Sequence, residues 1–331
     1  MKRTLTVIIN PIAGTLSKRG LEGWLLPHLH QMGYDVTVAY TRGPGDATEI
    51  ARQAARDGAY GVLAVGGDGT VNETATGLIG TETALGILPA GSGNGLARHI
   101  GIPVDIRRSL KIIAEDHIDR CDYGEVNGRP FFCTFGLGFD AAVSERFARK
   151  HRRGLTSYIT SAIDEFVKYD SDTYEIIAND TVVADRAFLV VCCNASQYGN
   201  NAFIAPAASI RDGLLDITIV HRGTLLEHAM SGIEIITGSI GNHGKVQTFR
   251  APEVTIRRAK GTIAHIDGDP IELPGELNVR VCPGRLKIFT TTRKRRFKPI
   301  VTPLALMLRD WHITIHRLLH PLETRKTRRQ K

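Results

Sequence analysis

The first hundred residues switch repeatedly between short apolar runs and amphipathic stretches. LTVIIN (5–10), YDVTVAY (34–40), YGVLAV (60–65) and ALGILPA (84–90) are rich in aliphatic and β-branched residues, the pattern of strands. Helical stretches separate them. LEGWLLPHLHQM is interrupted by Pro27 and stopped by Gly33, and DATEIARQAARDG (46–58) takes Asp46 as N-cap and Gly58 as stop. TVNETATGLI follows the third strand, and NGLARHIG, ended by Gly101 and Pro103, follows the fourth. Strands alternating with helices predict an α/β domain with a doubly wound parallel sheet over residues 1–121.

The pattern then changes. CDYGEVNGRPFFCTFGLGF carries an Asn127-Gly128 turn between two strand-like runs, a strong hairpin signal. TYEIIAND, AFLVVCCNA, LLDITIVH, PEVTIRRA, GTIAHIDGD and ELNVRVCPGRLKIFTT continue the β pattern, with helices near 155–169 and 225–240. A mostly antiparallel β-sandwich is expected over 122–290, and an exposed strand edge there leaves a homodimer open. The last segment, 291–331, holds PLALMLRDWHITIHRLLHP (303–321), an amphipathic helix by its spacing, followed by ETRKTRRQK.

Composition narrows the class. Of 331 residues, 42% are hydrophobic and 23% charged, ordinary for a soluble globular chain, and no apolar run is long enough for a membrane span. The apolar run after the basic start MKRTLTVIINP is too short for a signal peptide. Five cysteines without paired CxxC spacing favour a reduced, cytoplasmic protein over a disulfide scaffold or a zinc site. The net charge of +8 is uneven: residues 291–331 hold 12 Lys or Arg and two acids, so the tail is +10 and the rest of the chain −2. Such a tail suits an anionic membrane surface at the inner face of the membrane. No recognition motif for nucleic acid accompanies it, and none is expected as a partner.

Candidate chemistry sits at the strand ends. GGDGTVNE (66–73) follows the third strand, NPIAG (10–14) the first and LPAGSGNGLAR (88–98) the fourth. In an open α/β sheet these turns share the edge where ligands bind, and successive N–H groups there form anion-binding nests. Thr70 and Glu73 have the spacing of a capping box on a helix whose N-terminus favours phosphate. Neither a Walker A motif nor a GxGxxG after the first strand is present.

With TRGPGDA (41–47), GLGFDAAV (136–143), APAASIRDGLLDITIV (205–220) and IDGDPIE (266–272), these motifs resemble the diacylglycerol kinase catalytic domain family, which includes bacterial soluble lipid kinases and sphingosine kinases. GGDGT alone is shared with NAD kinases; GSGNGLAR and RDGLLD argue against that class. The resemblance implies transfer of the ATP γ-phosphoryl group to a lipid hydroxyl. Diacylglycerol or a related lipid is the first choice of acceptor; a sphingoid base or ceramide is the alternative. A non-catalytic nucleotide- or lipid-binding module is the rival of another class.

By position, Asn10, Pro11, Ile12, Ala13, Gly14, Thr41, Gly66, Gly67, Asp68, Gly69, Thr70, Val71, Asn72, Glu73 and Ser92 line the implied ATP site, with Asp68 the carboxylate for Mg²⁺. The segment IDGDP supplies two acids, where the family usually has Asp-Gly-Glu. The resemblance puts Asp269 first as the base, with Asp267 close behind as base or metal partner. It also places a structural Mg²⁺ site at RDGLLD, with the Asp212 carboxylate and the carbonyls of Ser209 and Leu214 as ligands. In the family the C-terminal segment often returns to the first domain, and 291–331 is expected either to do so or to touch membrane. His99 and His265 read as packing residues, and His312, His316 and His320 as a helix stripe.

Overall fold

The computed structural model describes residues 3–12, 20–148, 169, 171–179, 181–241, 244–258, 262–292 and 297–319. The helix expected at 155–169 falls, apart from Tyr169, outside the described residues, as do Ala13 and Gly14.

Strands β1 (Arg3–Ile9), β2 (Tyr34–Tyr40), β3 (Gly61–Gly66) and β4 (Ala84–Pro89) stand in the order β2-β1-β3-β4, all parallel. Helices α1 (Leu21–Gln31), α2 (Asp46–Arg56), α3 (Asp68–Leu78), α4 (Gly95–His99) and α5 (Ile106–Ala114) follow the strands. Alternation along each strand sorts the core into two faces. Leu5, Val7, Ile9, Leu63 and Val65 pack with Leu25, Leu29, Leu110 and Ile113 from α1 and α5. Ile8, Val62 and Ala64 pack with Ala47, Ala51, Val71 and Ala75 from α2 and α3. Burial on both faces explains why β3 and β4 are buried at every position, and why they read as continuous apolar runs.

Two expected caps are different in the structure. Gly45, at φ 87°, is the N-cap of α2, and the Asp46 carboxylate accepts from the Arg42 N–H at 2.7 Å. Helix α3 starts at Asp68 with Gly67 as N-cap, so Thr70 lies inside its first turn and Glu73 beyond the capping-box position. Glu73 reaches across to α2, where its carboxylate accepts from Gly45 N–H at 2.9 Å and Ala47 N–H at 3.1 Å. The acid caps a helix, but the neighbouring one.

The second domain contains β5 (Ile118–Val126), β6 (Arg129–Phe131), β7 (Thr134–Gly138), β8 (Asp172–Ala178), β9 (Thr181–Cys193), β10 (Leu215–His221), β11 (Val246–Ala251), β12 (Glu253–Arg258), β13 (Ile263–Ile266), β14 (Asp269–Glu272) and β15 (Glu276–Phe289). Its pairings are antiparallel, around a core that includes Phe131, Phe135, Ile217, Ile256 and Leu277. Asn127 (φ 46°) and Gly128 (φ 81°) make the expected two-residue turn. β5 runs through the position where the domains were expected to divide. It pairs with β15, whose end meets β4 through Ile288 and Leu85, so the 15 strands of the described residues form one hydrogen-bonded network.

Three more helices complete the described chain: α6 (Phe139–Ala148), α7 (Leu225–Thr237) and α8 (Val301–Leu319). Thr224 and Glu227 form a true capping box on α7. α8 returns to the first domain: Asp310 pairs with Arg98, and the Asn201 amide donates to the same carboxylate at 3.1 Å.

Candidate active site

The carboxyl ends of β1 to β4 carry Asn10, Thr41, Gly66-Gly67 and Gly91-Ser92 along one edge of the parallel sheet. Asn10 donates through its amide to the Thr70 hydroxyl at 3.2 Å and accepts from Ile12 N–H at 3.1 Å. Thr41 N–H bonds the Ile9 carbonyl at 3.0 Å. Pro11, Ile12, Gly69 and Ser92 are exposed, Asn72 is half-buried and Val71 is buried.

The glycines have a packing reason. A Cβ on Gly91 would lie 2.4 Å from the Gly67 Cα, so the turns after β3 and β4 meet backbone to backbone. A Cβ on Gly93 would lie 2.6 Å from Oδ2 of Asp68. That carboxylate accepts from Asn94 N–H at 2.8 Å and Gly95 N–H at 2.6 Å. Asp68 thus ties the GGDGT turn to the GSGNG turn. Burial pushes its carboxyl above the ordinary range, against the N–H donors and the Arg98 charge, which pull it down.

The second domain seats on the same loop. Asn200 N–H donates to the Gly93 carbonyl at 3.3 Å, and Arg98 Nε donates to it at 2.8 Å. His99 Nδ1 accepts from Ser196 N–H at 3.1 Å; burial, with the Arg211 charge, lowers its pKa to about 4. His99 is a joint between the domains, in keeping with the packing role read from sequence.

Asp267 (φ 51°) and Gly268 (φ 91°) form the turn from β13 to β14, so the Asp-Gly hairpin signal and the candidate acid coincide. The Asp267 carboxylate accepts from Phe132 N–H (2.8 Å), Cys133 N–H (2.7 Å) and Thr134 N–H (2.8 Å). Burial raises its pKa to about 6; the three N–H groups oppose this, and the negative charge of Asp68 adds to it. Cys133, whose N–H serves Asp267, packs its Sγ against Gly95, whose N–H serves Asp68, so the two acids are linked across the domain join. Asp269 lies two residues on, exposed at the head of β14.

Sequence reading passed over the support behind this turn. His265 Nε2 lies 3.0 Å from Oδ2 of Asp140, which also accepts from the Tyr198 hydroxyl at 3.0 Å. His265 Nδ1 accepts from Gly268 N–H at 3.3 Å, so the buried Asp140–His265 pair reaches the backbone of the turn. The signal was present: a polar residue on the inward face of an apolar strand, two positions before Asp267. Asp122 was also missed. Buried in β5, it accepts from Gly213 N–H and Gly284 N–H, each at 2.8 Å, and fixes the RDGLLD loop.

In that loop the Asp212 carboxylate pairs with Arg250, which also bonds Asp216 at 3.3 Å; Ser209 and Leu214 are half-buried nearby in the chain. Among the described residues no group of three or more His, Cys, Asp or Glu is placed to hold a metal ion. A Mg²⁺ ion bound through one or two carboxylates, phosphate oxygens and waters has no need of such a group. Asp68, pushed up by burial within the second glycine turn, suits that mode, since a hard cation favours its charged form.

Glycine turns on the carboxyl-end edge of a parallel sheet, met by an acid-bearing turn of a β domain, define a two-domain α/β protein whose candidate site lies where open α/β sheets bind ligands. Comparison with known proteins gives the family. The model of the diacylglycerol kinase catalytic domain matches residues 4–126, and that of the YegS C-terminal NAD kinase beta sandwich-like domain matches residues 134–290. The chain belongs to the diacylglycerol kinase catalytic domain family. It is 28% identical over 284 residues to a protein named "Diacylglycerol kinase" from Mycobacterium tuberculosis, covering 83% of this chain and 91% of that one. It is also 28% identical over 263 residues to a "Probable lipid kinase YegS-like" protein of Pseudomonas aeruginosa, covering 78% and 85%. The fold matches a solved diacylglycerol kinase of Bacillus anthracis with TM-score 0.70 at 20% identity, over 88% of this chain and 97% of that one.

Proposed function

We propose that the chain is an ATP- and Mg²⁺-dependent lipid kinase that transfers the γ-phosphoryl group to a lipid hydroxyl, with diacylglycerol or a related glycerolipid as acceptor. The observation that carries this reading is the packing that links Asp68 to Asp267: Gly95 N–H donates to Asp68, Cys133 N–H donates to Asp267, and a Cβ on Gly95 would lie 3.3 Å from the Cys133 Sγ. This supports a reading in which an acid of the β domain works beside the turn that the family resemblance assigns to ATP.

The glycine turns offer backbone N–H groups, and Asn10, Thr41, Thr70 and Ser92 offer side-chain donors, to the phosphates. Mg²⁺, held at Asp68 with waters and phosphate oxygens, would neutralise charge on the transferring group. The acceptor oxygen bonds to Pγ as the bond from Pγ to the β,γ-bridging oxygen breaks. ADP leaves, and the hydroxyl proton passes to a carboxylate. Sequence position favours Asp269 as that base. The raised pKa of Asp267, about 6, and its coupling to Asp68 favour Asp267, and we take Asp267 as the base with Asp269 beside the acceptor. The metal site at Ser209, Asp212 and Leu214 is kept as part of this proposal, with Arg250 as the competitor for the Asp212 carboxylate.

The test is transfer of labelled phosphate from ATP, with Mg²⁺, to diacylglycerol, a sphingoid base and ceramide in mixed micelles. A labelled lipid supports the reading and names the acceptor. ATP binding with no labelled product from any lipid overturns it in favour of a binding module.

A further inference from the structure

We propose that α7 and α8 together form a docking face for an anionic lipid bilayer. Eleven of the fourteen large hydrophobic side chains exposed among the described residues lie on these two helices or at Ile300, just before the second. Exposed apolar residues scattered singly need no explanation; a contiguous group marks an interaction surface. On α8, Val301, Leu304, Leu308 and Trp311 recur at the spacing of one helix stripe, and Trp311 is 67% exposed. On α7, Leu226, Met230 and Ile233 do the same. The helices meet end to end: Ile300 N–H donates to the Thr237 carbonyl at 2.7 Å, with exposed Ile236 and Ile300 at the join.

The opposite side of α8 is already engaged. Ile313 is buried, and Asp310 is paired with Arg98. The apolar stripe therefore points away from the fold that the helix is packed on. No helix among the described residues is long and apolar enough to cross a membrane, so a helix lying in the interface is the mode that fits.

Charge selects the occupant. The sequence places Arg293, Lys294, Arg295, Arg296 and Lys298 immediately before α8, within a tail of net +10. A second copy of the chain would bring two such tails together. An anionic bilayer attracts them. Both family models end by residue 290, before α8 begins. Its Asp310 is one ion pair from Arg98, which holds the Gly93 carbonyl of the third glycine turn, so the docking face is tied to the candidate site.

The inference rests on surface side chains, not on the kinase reading, and its test needs no turnover. The full chain is floated with vesicles of phosphatidylcholine alone or with phosphatidylglycerol, without nucleotide. The wild type is expected to bind the anionic vesicles more tightly. The pair Leu304→Glu/Leu308→Glu, and separately Met230→Glu/Ile233→Glu, is expected to weaken binding at least about tenfold, since each removes two apolar anchors. Unchanged melting temperatures establish that the variants fold. Equal binding by wild type and both variants, or indifference of the wild type to vesicles, overturns the proposal. So does a wild-type dimer in solution that the variants dissociate without any vesicle binding.

Discussion

The Asp310 carboxylate of α8 pairs with the Arg98 guanidinium of α4, at side-chain exposures of 19% and 7%. Arg98 also donates to the Gly93 carbonyl, so the far end of the chain braces a loop near its beginning. Removing one partner of a buried pair leaves an uncompensated charge. Asp310→Ala is expected to cost about 3 kcal/mol in thermal or denaturant unfolding and to raise the KM for ATP, because the Gly93 turn loses its brace. Wild-type stability in that variant would show that the pair is solvent-screened and carries no weight.

Glu73 offers a second test, because its role differs between the two readings of the helix start. Its carboxylate serves two N–H groups at the start of α2. Glu73→Ala is expected to destabilise the protein by about 1–2 kcal/mol, with Glu73→Gln intermediate. An unchanged melting temperature in the alanine variant would contradict this role.

The Asp140–His265 pair acts on the Asp267 turn through Gly268. These are positioning residues, so their signature is coupling. Asp140→Asn and His265→Asn, alone and together, are expected to show a non-additive stability of roughly 0.5–3 kcal/mol in a double-mutant cycle. They are also expected to shift the pH profile of turnover. Additive stabilities with an unmoved profile would separate the pair from the turn.

The pH profile itself follows from Asp267. Its carboxyl is raised to about 6, so the basic form is present above that pH and is lost as pH falls through it. The account predicts that kcat/KM declines by about tenfold per pH unit on the acid side of that value. A profile flat down to about pH 5 would mean that a carboxylate with an ordinary pKa is the base, which returns the role to Asp269.

Much of the molecule was legible in the chain. β3 and β4 declared themselves because burial at every position demands uninterrupted apolar residues, whereas β2, at the sheet edge, showed itself by β-branched and aromatic residues alternating with exposed Asp35 and Thr37. The Asn127-Gly128 turn was found because positive φ at two successive positions admits few residue types. Partners distant in sequence were hidden. Glu73 lies three residues after Thr70, and spacing alone cannot tell a carboxylate that caps its own helix from one that caps the next. The link from Asp140 to His265 spans 125 positions, and that from Arg98 to Asp310 spans 212; no periodicity encodes such pairs. Our proposal of Asp267 ahead of Asp269 rests on its surroundings in the fold, which the spacing of the two acids does not encode.

The most direct test of the central claim is the rate of lipid phosphorylation by Asp267→Asn, measured beside Asp269→Asn and wild type at saturating ATP and Mg²⁺. The account predicts a fall of roughly 10²–10⁴-fold for Asp267→Asn, the scale of losing a general base, with ATP affinity little changed. Wild-type turnover in Asp267→Asn would contradict the assignment, and wild-type turnover in both variants would remove the turn from the chemistry.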